Sequence, residues 1–268
     1  STGAAEARRE VELLLARALG VGLAHLIAHP ELHPDPQTYA VYVGWLQRRL
    51  SGEPVAYILG CREFYGLNFK VTPAVLIPRP ETELLVELVL ERIAESRTAS
   101  ILDLGTGSGC IAVTLAKLRP RARVVATDVS PQALAIAMEN AAQHGAARIE
   151  FREGSWYEPV GVERFDLIAS NPPYVGEGDP HISEGDLRFE PRGALAAGLD
   201  GLSMLRSIVQ QAPRHLREAG WLLLEHGYDQ GTAVRSLMQR RGFVDVLTRD
   251  DLAGIPRVTL GRLLTVNS

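Results

Sequence analysis

Apolar and polar positions change period more than once along this chain of 268 residues. Between Glu6 and Leu19, Val11, Leu14, Leu15 and Ala18 recur at i, i+3, i+4 and i+7, a helical stripe that Gly20 ends. A short helix is predicted around Leu23 to Ala28, and a third from Pro36 to Leu50, stopped by Ser51-Gly52. From Pro54 the pattern shortens. Val55 to Leu59 and Asn68 to Val71 read as β-like pieces around the turn-prone pair Tyr65-Gly66, so a hairpin is expected. Ile77-Pro78-Arg79-Pro80 is then rigid and extended, suited to one wall of a cleft, and Glu81-Thr82-Glu83 opens a long helix with the acidic first turn its dipole favours.

From Ser100 strand and helix patterns alternate. Strands are predicted at Ile101 to Leu104, Arg123 to Thr127, Ile149 to Arg152, Phe165 to Ser170 and Trp221 to Glu225, then near Phe243 to Leu247 and Val258 to Leu263. Helices fall at Cys110 to Leu118, Pro131 to His144, Leu202 to Leu216 and Gln230 to Arg241. Such alternation predicts an α/β fold, a doubly wound and mostly parallel sheet. The last two strands have no helix between them, so they are expected to be antiparallel neighbours at one edge. The chain divides accordingly into a small helical domain over 1–53, a hairpin linker over 54–76 and a large α/β domain over 77–268.

Composition narrows the classes of function. Hydrophobic residues at 46% and charged residues at 22% exclude disordered and fibrous classes. No apolar run approaches the length of a bilayer span and the N-terminus is polar, so a cytoplasmic, membrane-free protein is expected. Two cysteines, Cys61 and Cys110, make neither a disulfide framework nor a zinc site, and no bound metal is expected. His25, His29 and His33 lie four apart, but Pro30 and Pro34 break the register, which favours ordinary surface histidines. A net charge of -4 gives no general attraction for phosphate backbones, so no direct nucleic-acid partner is expected.

Three stretches carry the candidate chemistry. The first strand of the alternating region runs through Asp103 and Leu104 into Gly105-Thr106-Gly107-Ser108-Gly109 and then a helix, a loop that lets a ligand lie against bare main chain at a helix N-terminus. The next strand ends at Asp128, placed to bind both hydroxyls of a ribose. Asp103 disfavours a pyrophosphate and suits an ammonium group, directly or through water, so S-adenosylmethionine fits better than a dinucleotide. The third stretch is Asn171-Pro172-Pro173-Tyr174 at the tip of a buried strand. Two prolines hold it extended, and it offers an amide oxygen, a prolyl carbonyl and an aromatic face to one planar NH2 group. Trp156 and Tyr174, judged alone, could equally be packing residues.

With these stretches, Tyr57-Ile58-Leu59-Gly60, Arg62-Glu63-Phe64-Tyr65, Ile77 to Glu83, Glu190-Pro191-Arg192 and Asp200-Gly201-Leu202 give a chain that resembles the peptide chain release factor N5-glutamine methyltransferases, the PrmC/HemK family, over nearly its whole length. Cys61 and Ala197-Gly198 depart from the usual pattern outside the site motifs. The resemblance implies a Rossmann-like methyltransferase domain in which Gly105 to Gly109 and Asp128 bind S-adenosylmethionine, with S-adenosylhomocysteine as product and Trp156 beside the adenine. It implies that Asn171, Pro172, Pro173 and Tyr174 hold the target glutamine, with Asn171, Pro172 and Tyr174 catalytic. It also implies a monomer whose helical domain helps dock a release factor carrying a Gly-Gly-Gln motif. The strongest alternative is a nucleic-acid methyltransferase acting on the exocyclic amine of adenine or guanine, since that amine presents the same donor pair. A third, a catalytically idle module that only senses S-adenosylmethionine or chaperones the release factor, is opposed by the intact Asn171 and Tyr174.

Overall fold

The computed structural model describes residues 2–179 and 185–264, so Ser1 and 265–268, at the ends of the two predicted domains, and 180–184 lie outside the described residues. Three helices open the chain: α1 (Thr2–Ala18), α2 (Leu23–Ala28) and α3 (Pro36–Leu50). Asp35 caps α3 by accepting from the Gln37 and Thr38 backbone, and Pro36 takes the first turn, where a missing N–H costs nothing. Of the α1 stripe, Leu14 is fully buried beside Ala16, whereas Val11 is 39% exposed. Three short helices enclose little interior, and α3 buries no residue completely.

The predicted strand at Val55 to Leu59 is instead helix α4 (Val55–Leu59). Five apolar residues do not distinguish strand from helix by periodicity. Here Pro54 starts the turn, Gly60 ends it in the left-handed region at φ 68°, and Ala56, Tyr57 and Ile58 are all buried. The Tyr57 hydroxyl donates to the Val75 carbonyl at 2.7 Å, which fixes α4 to the segment entering the site. The hairpin lies slightly further on, as β1 (Cys61–Phe64) and β2 (Leu67–Lys70), joined by Tyr65 at φ 52° and Gly66 at φ 74°. Two consecutive positive φ values are those of the tight turn that suits the twist of paired strands.

After a 3-10 turn at Pro80–Thr82 and α5 (Glu83–Arg92) comes the sheet domain: β3 (Ser100–Leu104), α6 (Cys110–Leu118), β4 (Arg123–Asp128), α7 (Pro131–Gln143), β5 (Glu150–Glu153), β6 (Phe165–Ser170), α8 (Ser203–His215), β7 (Leu216–Glu225), α9 (Gly231–Arg240), β8 (Phe243–Asp250) and β9 (Pro256–Leu263). The strand order is β5-β4-β3-β6-β7-β9-β8, with β3 to β7 parallel and β9 antiparallel to both β7 and β8. The last two strands are antiparallel neighbours at one edge, as the pattern predicts; β9 is the reversed strand and sits inside β8.

Side chains alternate across this sheet. Ile101, Leu167, Ala169 and Leu223 face a core with α5 and α6, while Leu102, Ile168, Leu222 and Leu224 face another with α8 and α9. Burial on both faces explains why the central strands read as nearly continuous apolar runs. Strand order reverses between β3 and β6, which opens a crevice at their C-terminal ends. The Ser170 hydroxyl donates to the Leu104 carbonyl at 2.7 Å and ties those two tips together. At the other end of the strands, the Asp166 carboxylate gathers Arg97, Arg217 and the Ser100 backbone N–H.

Candidate active site

Gly105, Gly107 and Gly109 all have positive φ, at 71°, 56° and 80°, so the loop after β3 takes a path that side-chain-bearing residues rarely follow. Its main chain is laid over the tip of β4. Gly105 and Thr106 both donate to the Thr127 carbonyl, at 2.9 and 3.0 Å, and Gly107 donates to Asp128 Oδ2 at 2.9 Å. Asp128 Oδ1 accepts from the Ser130 backbone at 2.9 Å, and Ser130 in turn caps α7 through Ala133. Each carboxylate oxygen has a further lone pair available for a ligand hydroxyl. A cross-link from the far side keeps the loop down: the buried Asn140 amide donates to the Ser108 and Lys70 carbonyls and accepts from the Lys70 N–H.

These groups line a cavity of about 390 Å³, within the range of small-molecule sites. Gly105, Thr106, Gly107, Ser108, Asp128, Trp156, Asn171 and Pro173 all contribute to its wall. The Trp156 ring stands 3.4 Å from where a Cβ on Gly105 would be, and its backbone carbonyl accepts the Thr127 hydroxyl at 3.0 Å. Four of the sequence-predicted residues, Asp103, Gly109, Pro172 and Tyr174, lie outside the wall. Asp103 is buried beneath the loop, where its Oδ2 accepts from the Thr106 hydroxyl at 2.6 Å and its Oδ1 has no well-formed hydrogen bond among the described residues. Burial pushes its carboxyl up to about 7. Tyr174 packs against the α8 side of the sheet and points its hydroxyl at Glu225 Oε1, 3.4 Å away. Burial raises its pKa well above the ordinary phenol value.

The Pro-Arg-Pro segment forms one wall, as expected, through Pro78 and Arg79. Arg79 pairs with the buried Glu190 carboxylate, which also accepts the Ile77 N–H at 3.2 Å. This joins the wall to the Glu190-Pro191-Arg192 stretch, of which Pro191 lines the cavity together with Gly193 and Ala194 just after it. The charged lining residues are Arg79, already paired, and Asp128, so the described wall holds no free cation for a phosphate. A ribose-bearing ligand without phosphate fits this donor set.

Thr82 also lines the cavity, and the sequence assigns it no role of its own. Asn171 Nδ2 donates to the Thr82 hydroxyl at 3.0 Å, and both residues line the cavity. That bond commits the NH2 end of the amide and leaves Oδ1, like the Pro172 carbonyl, without a donor among the described residues. A threonine in the first turn of a helix reads simply as a capping residue, and nothing local marks a partner 89 positions away.

Residues 80–184 match the model of the methyltransferase small domain, and residues 1–60 that of the PrmC N-terminal domain. The release factor glutamine methyltransferase of Neisseria gonorrhoeae is 56% identical over 220 residues, covering 81% of this chain and 80% of its own. Those of Pseudomonas aeruginosa and Xylella fastidiosa are 50% and 49% identical, each covering at least 95% of this chain and at least 92% of their own. The chain belongs to the release factor glutamine methyltransferase family. The fold extends beyond the release factor glutamine methyltransferases. A Pyrococcus furiosus methyltransferase superposes with a TM-score of 0.58 at 18% identity, over 83% of this chain and 99% of its own. The T. thermophilus 16S rRNA N2 G1207 methyltransferase in complex with AdoMet and guanosine gives 0.57 at 20% identity, over 76% and 49%. Likeness at this identity speaks for the fold alone.

Proposed function

We propose that this protein methylates the side-chain amide nitrogen (N5) of the glutamine in the Gly-Gly-Gln motif of a peptide chain release factor, with S-adenosylmethionine as methyl donor. The observation that carries the reading is the free Asn171 Oδ1, on a side chain that shares one cavity with the glycine loop and Asp128. The relatives' high identity over nearly their full lengths selects glutamine over the amines of nucleic-acid bases as the acceptor.

Bound S-adenosylmethionine supplies an electrophilic methyl group. The Gly105 to Gly109 backbone and Asp128 would hold its amino-acid and ribose ends, and Trp156 would offer a flat face to the adenine. Asp103 acts from beneath, through Thr106. An amide nitrogen is a poor nucleophile because its lone pair is delocalised into the carbonyl. With one N–H donated to Asn171 Oδ1 and the other to the Pro172 carbonyl, the NH2 plane would be fixed and its lone pair directed out of that plane, clear of both acceptors. Both acceptors gain strength as positive charge grows on nitrogen. One N–H proton then leaves by way of these acceptors to water. Pro173 keeps the strand tip stiff, and Tyr174 steadies it from the core side.

Residues 1–53 are assigned to docking of the release factor, supported by the apolar Ile27, Tyr39, Val41 and Leu50 exposed on that unit. Labelled S-adenosylmethionine offered with release factor, its Gln-to-Ala version, DNA or RNA should label the intact release factor alone. Label on nucleic acid would contradict the proposal. Asn171→Ala should keep most of its affinity for S-adenosylmethionine and lose about a hundredfold or more in turnover. Equal losses in both would remove Asn171 from the chemistry.

A further inference from the structure

The mechanism needs the Asn171 oxygen, and not its NH2, towards the substrate. An amide side chain is nearly symmetrical in shape, so packing alone does not choose between its two orientations. The choice must come from the group that meets the other end. That group is Thr82, whose hydroxyl oxygen can either accept from an NH2 or donate to a carbonyl.

The buried carboxyl that the Thr82 hydroxyl pulls on is that of Glu225, at the C-terminal tip of β7 and 1% exposed. Its side chain is on the same face of the sheet as Leu223, the face covered by α5, whose first turn follows Thr82. Glu225 Oε1 accepts from Tyr174, and Oε2 is buried with no formed hydrogen bond. A buried, unpartnered carboxylate oxygen is costly and draws in any nearby donor. Burial pushes the carboxyl up to about 7; the Thr82 hydroxyl is the first of the neighbours that pull it down, ahead of Arg257 and Tyr174, while Glu81 pushes it up. An ionised carboxylate only accepts.

We propose that Thr82, backed by Glu225, is the positioning residue that sets the polarity of the Asn171 amide. With Glu225 ionised, its open Oε2 draws the Thr82 proton, so the Thr82 oxygen accepts from Asn171 Nδ2 and Oδ1 is turned to the substrate. This rests on Asn171 as the acceptor for the glutamine amide, as argued above. No bond changes in this step; the chain only orients hydrogen bonds.

The test compares Thr82→Val, which keeps the shape and removes the hydroxyl, with Thr82→Ser, which restores it. At about pH 8.5, where Glu225 is ionised, Thr82→Val should bind S-adenosylmethionine as the wild type does and lose about ten- to a hundredfold in kcat. Thr82→Ser should recover most of that loss. A second readout needs no release factor: the Asn171 side-chain NH2 resonances, assigned by their absence in Asn171→Asp, should shift in Thr82→Val and return in Thr82→Ser. Unchanged resonances, or unchanged kcat in a folded Thr82→Val, would overturn the proposal. If the wild type itself failed to label release factor, the substrate assignment would fall, and the resonances would still report whether Thr82 holds the amide.

Discussion

Asp128 serves two purposes with one carboxylate. It pins the glycine loop through Gly107 and starts α7 through Ser130, and its remaining lone pairs face the cavity. Asp128→Ala should therefore weaken S-adenosylmethionine binding by about tenfold or more, two charge-assisted hydrogen bonds being at stake. Calorimetry showing unchanged affinity would contradict its ribose role. The sequence made this residue legible because an acidic strand end after a glycine loop has few other uses. It showed Thr82 and Glu190 only as members of longer motifs, and Glu225 only as a strand end. Their meaning comes from contacts between segments far apart in the chain, and each is a common residue type with no spacing rule. Asp103 shows the intermediate case, conspicuous in the motif yet buried under the loop instead of facing the ligand directly.

Among the elements, the βα unit from Ser100 to Leu118 shows what its last glycine is for. A Cβ on Gly109 would lie 3.0 Å from the Ala137 Cβ and 3.2 Å from the Ala137 Cα, at a φ of 80°. Gly109→Ala should push α6 away from α7 and lower stability by about 1–3 kcal/mol, with weaker cofactor binding in proportion, read by urea unfolding and calorimetry side by side. Normal stability would show that α7 can move aside. Elements with a long repeat were legible in the sequence: α6 and β6 begin and end at their predicted residues. Val55 to Leu59 was not, because five apolar residues between a proline and a glycine suit a buried helical turn as well as a strand. Tertiary packing under Val75 decides it.

For the molecule as a whole, two buried carboxyls set a pH dependence. Folding raises Asp103 from 3.8 to about 7 and Glu225 from 4.5 to about 7. Between those limits the folded chain holds protons that the unfolded chain has released, so both groups make stability fall as pH rises, and their effect levels off above about 7. In the ligand-free protein, the gain in urea midpoint from Asp103→Asn or Glu225→Gln should grow between about pH 4 and 7. A gain that stays constant with pH would show that neither carboxyl is held neutral.

The place of β9 between β7 and β8 means that the sheet is not completed in the order of synthesis. Among the described strands β8 pairs only with β9, and β7 has a bare edge until β9 arrives. On a ribosome, the strand bearing Glu225 would thus wait with an open flank for Pro256–Leu263, the last of the described strands to emerge. The support proposed behind Asn171 is complete only once Pro256–Leu263 has been made.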